Sequence, residues 1–353
     1  MTIFLYKKQE KRRKKVKRIV SLILMLAMLC TLFAGCNKAT VAGEKTEAQK
    51  TVKVVDSRGV EVEVNYPAKK IVCLLNSGLN DLYMLGAKDQ VIAIDQWTYT
   101  NESAYGFASQ IDERVKNKTL PAIDKNIEDI VGMNPDVVVI WAGQEEDIKV
   151  LEDKGIKVVG IQADNFEDVY TKLDILGKIS GKEDRAAEIA KYSKEQLKKV
   201  SDKVAKIDAS KKLSSLFVWG PTKLDLAGNN STGDSIIEMA GGKNAADAVG
   251  EEHFVAKMED VVTWNPDSLI MWNLKDLDPQ SYYDDEQWAN IKATENKQVF
   301  ELPNAFYCDL WTIKYVYSVE FLAKSLYPET FSDLDIEKSK NEMLKFLYGV
   351  DFK

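Results

Sequence analysis

A fourteen-residue phrase occurs twice in this chain, as EDIVGMNPDVVVIW at Glu128–Trp141 and, 131 residues later, as EDVVTWNPDSLIMW at Glu259–Trp272. Seven positions are identical, and most of the others exchange one aliphatic residue for another. The order of residues reads as helix, turn and strand. Glu-Asp at a helix start complements the positive end of the helix dipole. Asn-Pro-Asp stops the helix, because the residue before proline is driven out of the α region. The aliphatic run that follows is a buried strand, with Trp at its carboxyl end. Two copies predict two lobes of like build. In open parallel sheets ligands sit in the crevice beyond the strands' carboxyl ends, and a helix antiparallel to its strand begins at that same end. Each copy thus offers a Trp (Trp141, Trp272) to the crevice and a Glu (Glu128, Glu259) to its rim. Dipole complementation alone would also account for the glutamates, and core packing for the tryptophans.

The rest of the chain alternates strand and helix signals. KIVCLL (70–75), VIAID (91–95) and KGIKVVGI (154–161) read as strands before the midpoint, KLSSLFVWG (212–220) and KQVFEL (297–302) after it, with helical stretches between. Such alternation predicts the α/β class: two Rossmann-like lobes with parallel sheets and a ligand cleft between them. Ahead of them, TVKVVDSRGVEVEVNYP alternates with period two around a turn, a β-hairpin pattern. The segment 166–210 breaks near Gly181 and continues with helical spacing over Glu183–Ile207. Twenty-five helical residues would span about 37 Å, so a single long α-helix can join the lobes as a stiff strut. The expected divisions are an N-terminal lobe at 51–165, the interlobe helical segment at 166–210 and a C-terminal lobe at 211–353.

The N-terminus is a targeting segment. Met1–Arg18 carries nine Lys/Arg against one Glu, and a fifteen-residue apolar run, Ile19–Phe33, leads to small residues before Cys36. That run is short of the roughly 20 residues that span a bilayer. Residues 1–35 read as a bacterial lipoprotein signal, cleaved so that Cys36 carries the lipid, and residues 36–50 as a flexible tether. Removing residues 1–35 takes the net charge from −7 to near −15. So acidic a domain has no electrostatic footprint for nucleic acid and stands off anionic lipid on its tether. Of the remaining cysteines, Cys73 reads as core and Cys308 as a free thiol without catalytic role; neither disulfide framework nor zinc spacing is present.

The repeated phrase resembles the ABC-importer solute-binding proteins for ferric siderophores, cobalamin and haem, as do LGAKDQVIAI, EMAGGKN and FLAKSLYPETFSDLDIEKSKNEMLKFLYG. The resemblance runs over roughly residues 51–349. It implies a monomeric, membrane-anchored, extracytoplasmic protein that serves a permease dimer and its ATPase. It implies too that Glu128 and Glu259 dock onto permease arginines, a task for which modest rim ion pairs suit a transient complex. No resident cofactor is implied; a metal chelate would be cargo.

Residues just past strand ends are the ligand-binding candidates: Asn76, Ser77, Trp97, Tyr99, Trp141, Trp219, Trp272, Tyr307 and Trp311, with Phe306 beside them. Their aromatic excess suits a bulky, partly apolar chelate or macrocycle. Arg58, Arg114 and Arg185 are the arginines left in the mature chain, none at an expected strand end, which favours a more neutral ligand such as a hydroxamate chelate, a corrinoid or haem over an anionic catecholate. A small oxyanion, molybdate or tungstate, is a further alternative and would need converging donors in a narrow crevice. The single histidine, His253, is read as a loop residue rather than a metal ligand. The rival class, an extracytoplasmic enzyme on a two-lobed scaffold, would need a catalytic constellation; no G-x-S-x-G elbow, P-loop or G-x-G-x-x-G fingerprint occurs.

Overall fold

The computed structural model describes residues 50–124 and 126–352; the signal segment, Cys36 and most of the tether fall outside them. Strand β1 (Thr51–Val55) pairs antiparallel with β2 (Glu61–Asn65). Asp56 closes their turn by accepting the N–H groups of Arg58 and Val60. Its other oxygen accepts from Gly160 N–H at 2.9 Å, which ties the hairpin to the first sheet.

That sheet comprises β3 (Ile71–Cys73), β4 (Val91–Asp95), β5 (Ala122–Ile123), β6 (Val137–Trp141) and β7 (Val158–Ile161), in the order β5-β4-β3-β6-β7. Every neighbouring pair is parallel. Apolar clusters cover both faces, which is why these strands are continuous aliphatic runs rather than alternating ones.

The second sheet departs from the expected all-parallel form. It contains β8 (Ser214–Val218), β9 (Asp225–Ala227), β10 (Lys243–Asn244), β11 (His253–Val255), β12 (Ser268–Met271) and β13 (Val299–Glu301). β8 runs parallel to β10 and β12, and β12 to β13. β9 runs antiparallel to β8, and β11 antiparallel to β9. The cause is local. After β8 the chain reverses at Gly220–Pro221 rather than entering a helix. Trp219 N–H donates to Asp225 O at 2.7 Å, and Asp225 Oδ2 accepts from Thr222 N–H at 2.8 Å.

The duplicated phrase has the same local structure in both copies. Its helices are Ile127–Met133 and Met258–Trp264, and each ends on an Asn in the left-handed region, Asn134 at φ 46° and Asn265 at φ 40°. Asn tolerates that conformation better than most side chains. The Asp that follows pins the neighbouring strand. Asp136 accepts N–H of Lys69 and Lys70 just before β3, and Asp267 accepts N–H and Oγ–H of Ser214 at the start of β8. Each phrase therefore sets the register of its own strand against the next.

The connection between the sheets is a helix pair. Asn165 and Asp168 form a capping box at the start of Phe166–Ser180, and Gly181 at φ +69° ends it. A Cβ at Gly181 would lie 2.8 Å from Pro67. The long helix follows as Glu183–Val204, 22 residues or about 33 Å, closing in a turn before the expected end at Ile207. The first helix packs on Asn76–Met84 and β1, the second on Thr232–Met239 and Tyr315–Leu326. One apolar cluster runs on from Val139 and Ile161 of the first sheet to Phe217 and Ile270 of the second. That shared core makes sliding of one sheet past the other costly.

Candidate functional site

Strands β3, β4, β6 and β7 end side by side, and the residues just beyond them form one wall of a cavity of about 610 Å³. Leu75, Asn76 and Ser77 follow β3; Trp97 follows β4; Trp141 ends β6; Gln162, Ala163 and Asp164 follow β7. The facing wall consists of Glu252 and His253 at β11 and of Ala305, Phe306, Asp309 and Trp311 in the loop after β13. Trp97, Trp141 and Trp311 are 46%, 47% and 39% exposed. Large apolar side chains left that open around one cavity mark a binding surface rather than incomplete packing.

The two phrase tryptophans diverge. Trp141 lines the cavity, its indole lying over Gly143, where a Cβ would meet the ring at 2.7 Å. Trp272 is buried and stands behind Trp311, stacked at 6.1 Å between centroids with planes 8° apart. Trp219 meets both edge-on and stacks on His253 at 3.8 Å. Trp219 and Trp272 thus back the wall instead of forming it. Tyr99 and Tyr307 also stand outside the lining. The Tyr99 hydroxyl donates to Leu120 O at 2.9 Å, and the Tyr307 ring packs edge-on against Phe107 under the Lys340 ammonium. Asn76, Ser77, Trp97, Trp141 and Trp311 are the sequence candidates that the fold brings together around the cavity.

Gln162, Ala163 and Asp164 were missed although they obey the strand-end rule, coming directly after β7. Asp309 had no such signal. Beneath it lies a buried charged cluster. Lys314 Nζ is 4.0 Å from Asp309 Oδ2 and donates to Phe306 O at 2.7 Å and to Asn80 Oδ1 at 3.1 Å. Lys172 Nζ is 3.0 Å from Asp81 Oδ2 and donates to Trp311 O at 2.5 Å. Both lysines are sealed from solvent. Burial lowers Lys314 to about 8 against the opposing pull of Asp309 and Asp81, and burial raises Asp81 to about 6 against Lys172. The two ammonium groups hold the backbone of the loop that carries Phe306 and Trp311, Lys314 tying Phe306 O to Asn80 and Lys172 tying Trp311 O to Asp81.

His253 lies half-buried in the wall, and burial holds its imidazole below the usual range, opposed by Glu252. Among the described residues, no group of three or more His, Cys, Asp or Glu is placed to hold a metal ion. Cys73 and Cys308 are buried free thiols, each pushed up to about 12 by burial.

Glu128 and Glu259 are exposed in the first turns of the two phrase helices. Among the described residues no helix is long and apolar enough to cross a membrane.

Comparison with known proteins identifies the family. The ABC transporter substrate-binding lipoprotein YvrC of Bacillus subtilis is 25% identical over 87% of this chain and 97% of its own. The molybdate-binding protein MolA of Haemophilus influenzae is 24% identical over 85% and 92%, and its structure superposes with a TM-score of 0.72 over 86% of this chain and 99% of that one, at 23% identity. The ferric enterobactin-binding periplasmic protein FepB of Escherichia coli is 26% identical over 71% and 83%. The family model described as "Periplasmic binding protein" matches residues 71–306, from the first parallel strand to the aromatic loop of the cleft, and the chain belongs to that family.

Proposed function

We propose that this protein is the solute-binding lipoprotein of an ABC importer, and that it captures a bulky, partly apolar metal chelate or macrocycle without chemically altering it. The observation that carries this reading is the set of three open indoles, Trp97, Trp141 and Trp311, turned into one cavity at the strand ends. A volume of about 610 Å³ falls in the range of sites for drug-sized ligands, and stacking on rigid rings is how such sites hold flat or macrocyclic cargo. A ferric hydroxamate-type chelate fits best, with a corrinoid or haem next. A tetrahedral oxyanion would use little of this surface and would find few donors among its walls.

Asn76 and Ser77 would supply polar contacts, and Trp219 and Trp272 would keep the indole of Trp311 in place. Glu128 and Glu259 would register the two lobes, 51–165 and 211–353, on a permease dimer coupled to its ATPase. The helical segment 166–210 would limit closure. Cleavage of residues 1–35 and acylation of Cys36 would anchor the monomer outside the cell membrane on a tether of residues 36–50; fatty-acid labelling abolished by Cys36→Ser tests that part.

Titration of the protein's tryptophan fluorescence with a ferric trihydroxamate, cobalamin and haem tests the cleft. Saturable quenching by one of these is expected. No response to any of them, with a response to molybdate instead, would overturn the reading.

A further inference from the structure

We infer that the cleft selects cargo carrying net positive charge, with Asp164 and Glu252 as the groups that read it. This rests on the chelate-capture reading above and narrows it. Both residues line the cavity, and none of the described residues that line it is Lys or Arg.

The three described arginines are each engaged in an ion pair away from the lining. Arg58 pairs with Asp56 and Glu152, Arg114 with Asp112, and Arg185 with Glu188. Under the cavity floor Lys172 and Lys314 are closed to solvent and stand against Asp81 and Asp309. These four groups cancel, so the field in the cleft is set by Asp164 and Glu252. Asp164 accepts a hydrogen bond from the neutral Gln162 amide at 2.6 Å, and Glu252 Oε1 lies 3.8 Å from Nδ1 of the His253 imidazole, whose charged form burial disfavours. Neither carboxylate is neutralised by these neighbours.

A second feature acts in the same direction. The open faces of Trp97, Trp141 and Trp311 carry the negative side of the ring quadrupole and attract cations. An anionic ligand would give up its hydration to meet carboxylates and ring faces. The overall charge of the mature chain, near −15, steers encounter toward cations as well. The cargo class that fits is a neutral chelate core, large enough to stack on indoles, bearing an ammonium appendage.

The test uses the full-length protein in detergent and three ferric trihydroxamates with the same chelating core. The pendant group is a primary ammonium in the first, its acetamide in the second and its succinamate in the third. Affinity should fall in that order, by about three- to tenfold per unit of ligand charge at 0.1 M salt. The spread should shrink in 1 M salt, where the screening length drops to about 3 Å. It should also shrink in the double variant Asp164→Asn with Glu252→Gln, while Trp141→Phe weakens all three alike. Equal affinities, or tightest binding of the succinamate, would refute the charge selection and leave chelate capture standing. Failure of all three to bind would refute the capture reading and this inference together.

Discussion

The Gly143→Ala substitution isolates the part played by Trp141. Gly143 does not have a positive φ, so alanine fits its backbone, and the effect comes through the indole. The new Cβ would lie 2.7 Å from Cζ2 and Cη2 of Trp141, whereas carbon atoms rest at about 3.5–4.0 Å. The ring must move by about 1 Å or swing into solvent, which is open to it because it is already 47% exposed. Stability should change by less than about 1 kcal/mol, since glycine-to-alanine entropy in the unfolded chain offsets the displaced contact. Ligand affinity should suffer more. Loss of one aromatic stack is worth about 1 kcal/mol, or roughly fivefold in Kd. The assay is a calorimetric titration with the chelate that quenches fluorescence, beside a thermal melt. Gly132→Ala is the control: nothing lies within 4 Å of the Cβ it would add, so it should add about 0.5–1 kcal/mol of helix stability and leave affinity unchanged. Unaltered binding by Gly143→Ala, or equal weakening by both variants, would refute the placement of Trp141 against the ligand.

Other consequences follow from the buried charges and the rim. Lys172→Met leaves Asp81 buried without the ammonium 3.0 Å away and should cost about 3–5 kcal/mol in urea unfolding; adding Asp81→Asn should recover most of it, and failure to recover would mean the two do not act as a pair. Asp81 should titrate near pH 6, because burial raises it. The fold holds that proton more tightly than the unfolded chain does. The group's stabilising contribution is thus full below about pH 4 and lost as pH rises through about 6. A carboxyl carbon resonance of Asp81 that titrates below pH 4.5 would contradict this. Glu128→Ala with Glu259→Ala should abolish uptake by cells while ligand affinity in solution stays the same; normal uptake would end the docking claim.

The first wall of the cleft was legible because parallel strands deliver their next residues to one edge. KIVCLL gave Asn76 and Ser77, VIAID gave Trp97, and the phrase itself gave Trp141. The same rule applied to KGIKVVGI would have given Gln162 and Asp164. The facing wall was harder, because its residues come from a long loop and from a strand added by chain reversal. Nothing in WGPTKLDLAG shows that the chain will turn back as β9, since a Gly-Pro turn is equally compatible with a crossover. Nor does a tryptophan at a strand end reveal which way its indole points. Trp141 lies over Gly143 and stays half exposed, whereas Trp272 is covered by Trp219 and Trp311, which arrive from distant segments. Lys172 could have been noticed. It sits beside Val169, Leu173 and Leu176 on the buried side of its helix, where a lysine requires a partner; that the partner is Asp81 is a matter of tertiary packing.

The cleft is expected to carry a metal-bearing organic cargo. The most direct measurement is a native mass spectrum, with absorbance, of the protein isolated from its own metal-starved cells. The expected result is a noncovalent mass increment with the isotope pattern of iron or cobalt, lost in the variant Trp141→Ala with Trp311→Ala. An increment matching molybdate or tungstate, or cargo retained after both indoles are removed, would contradict it.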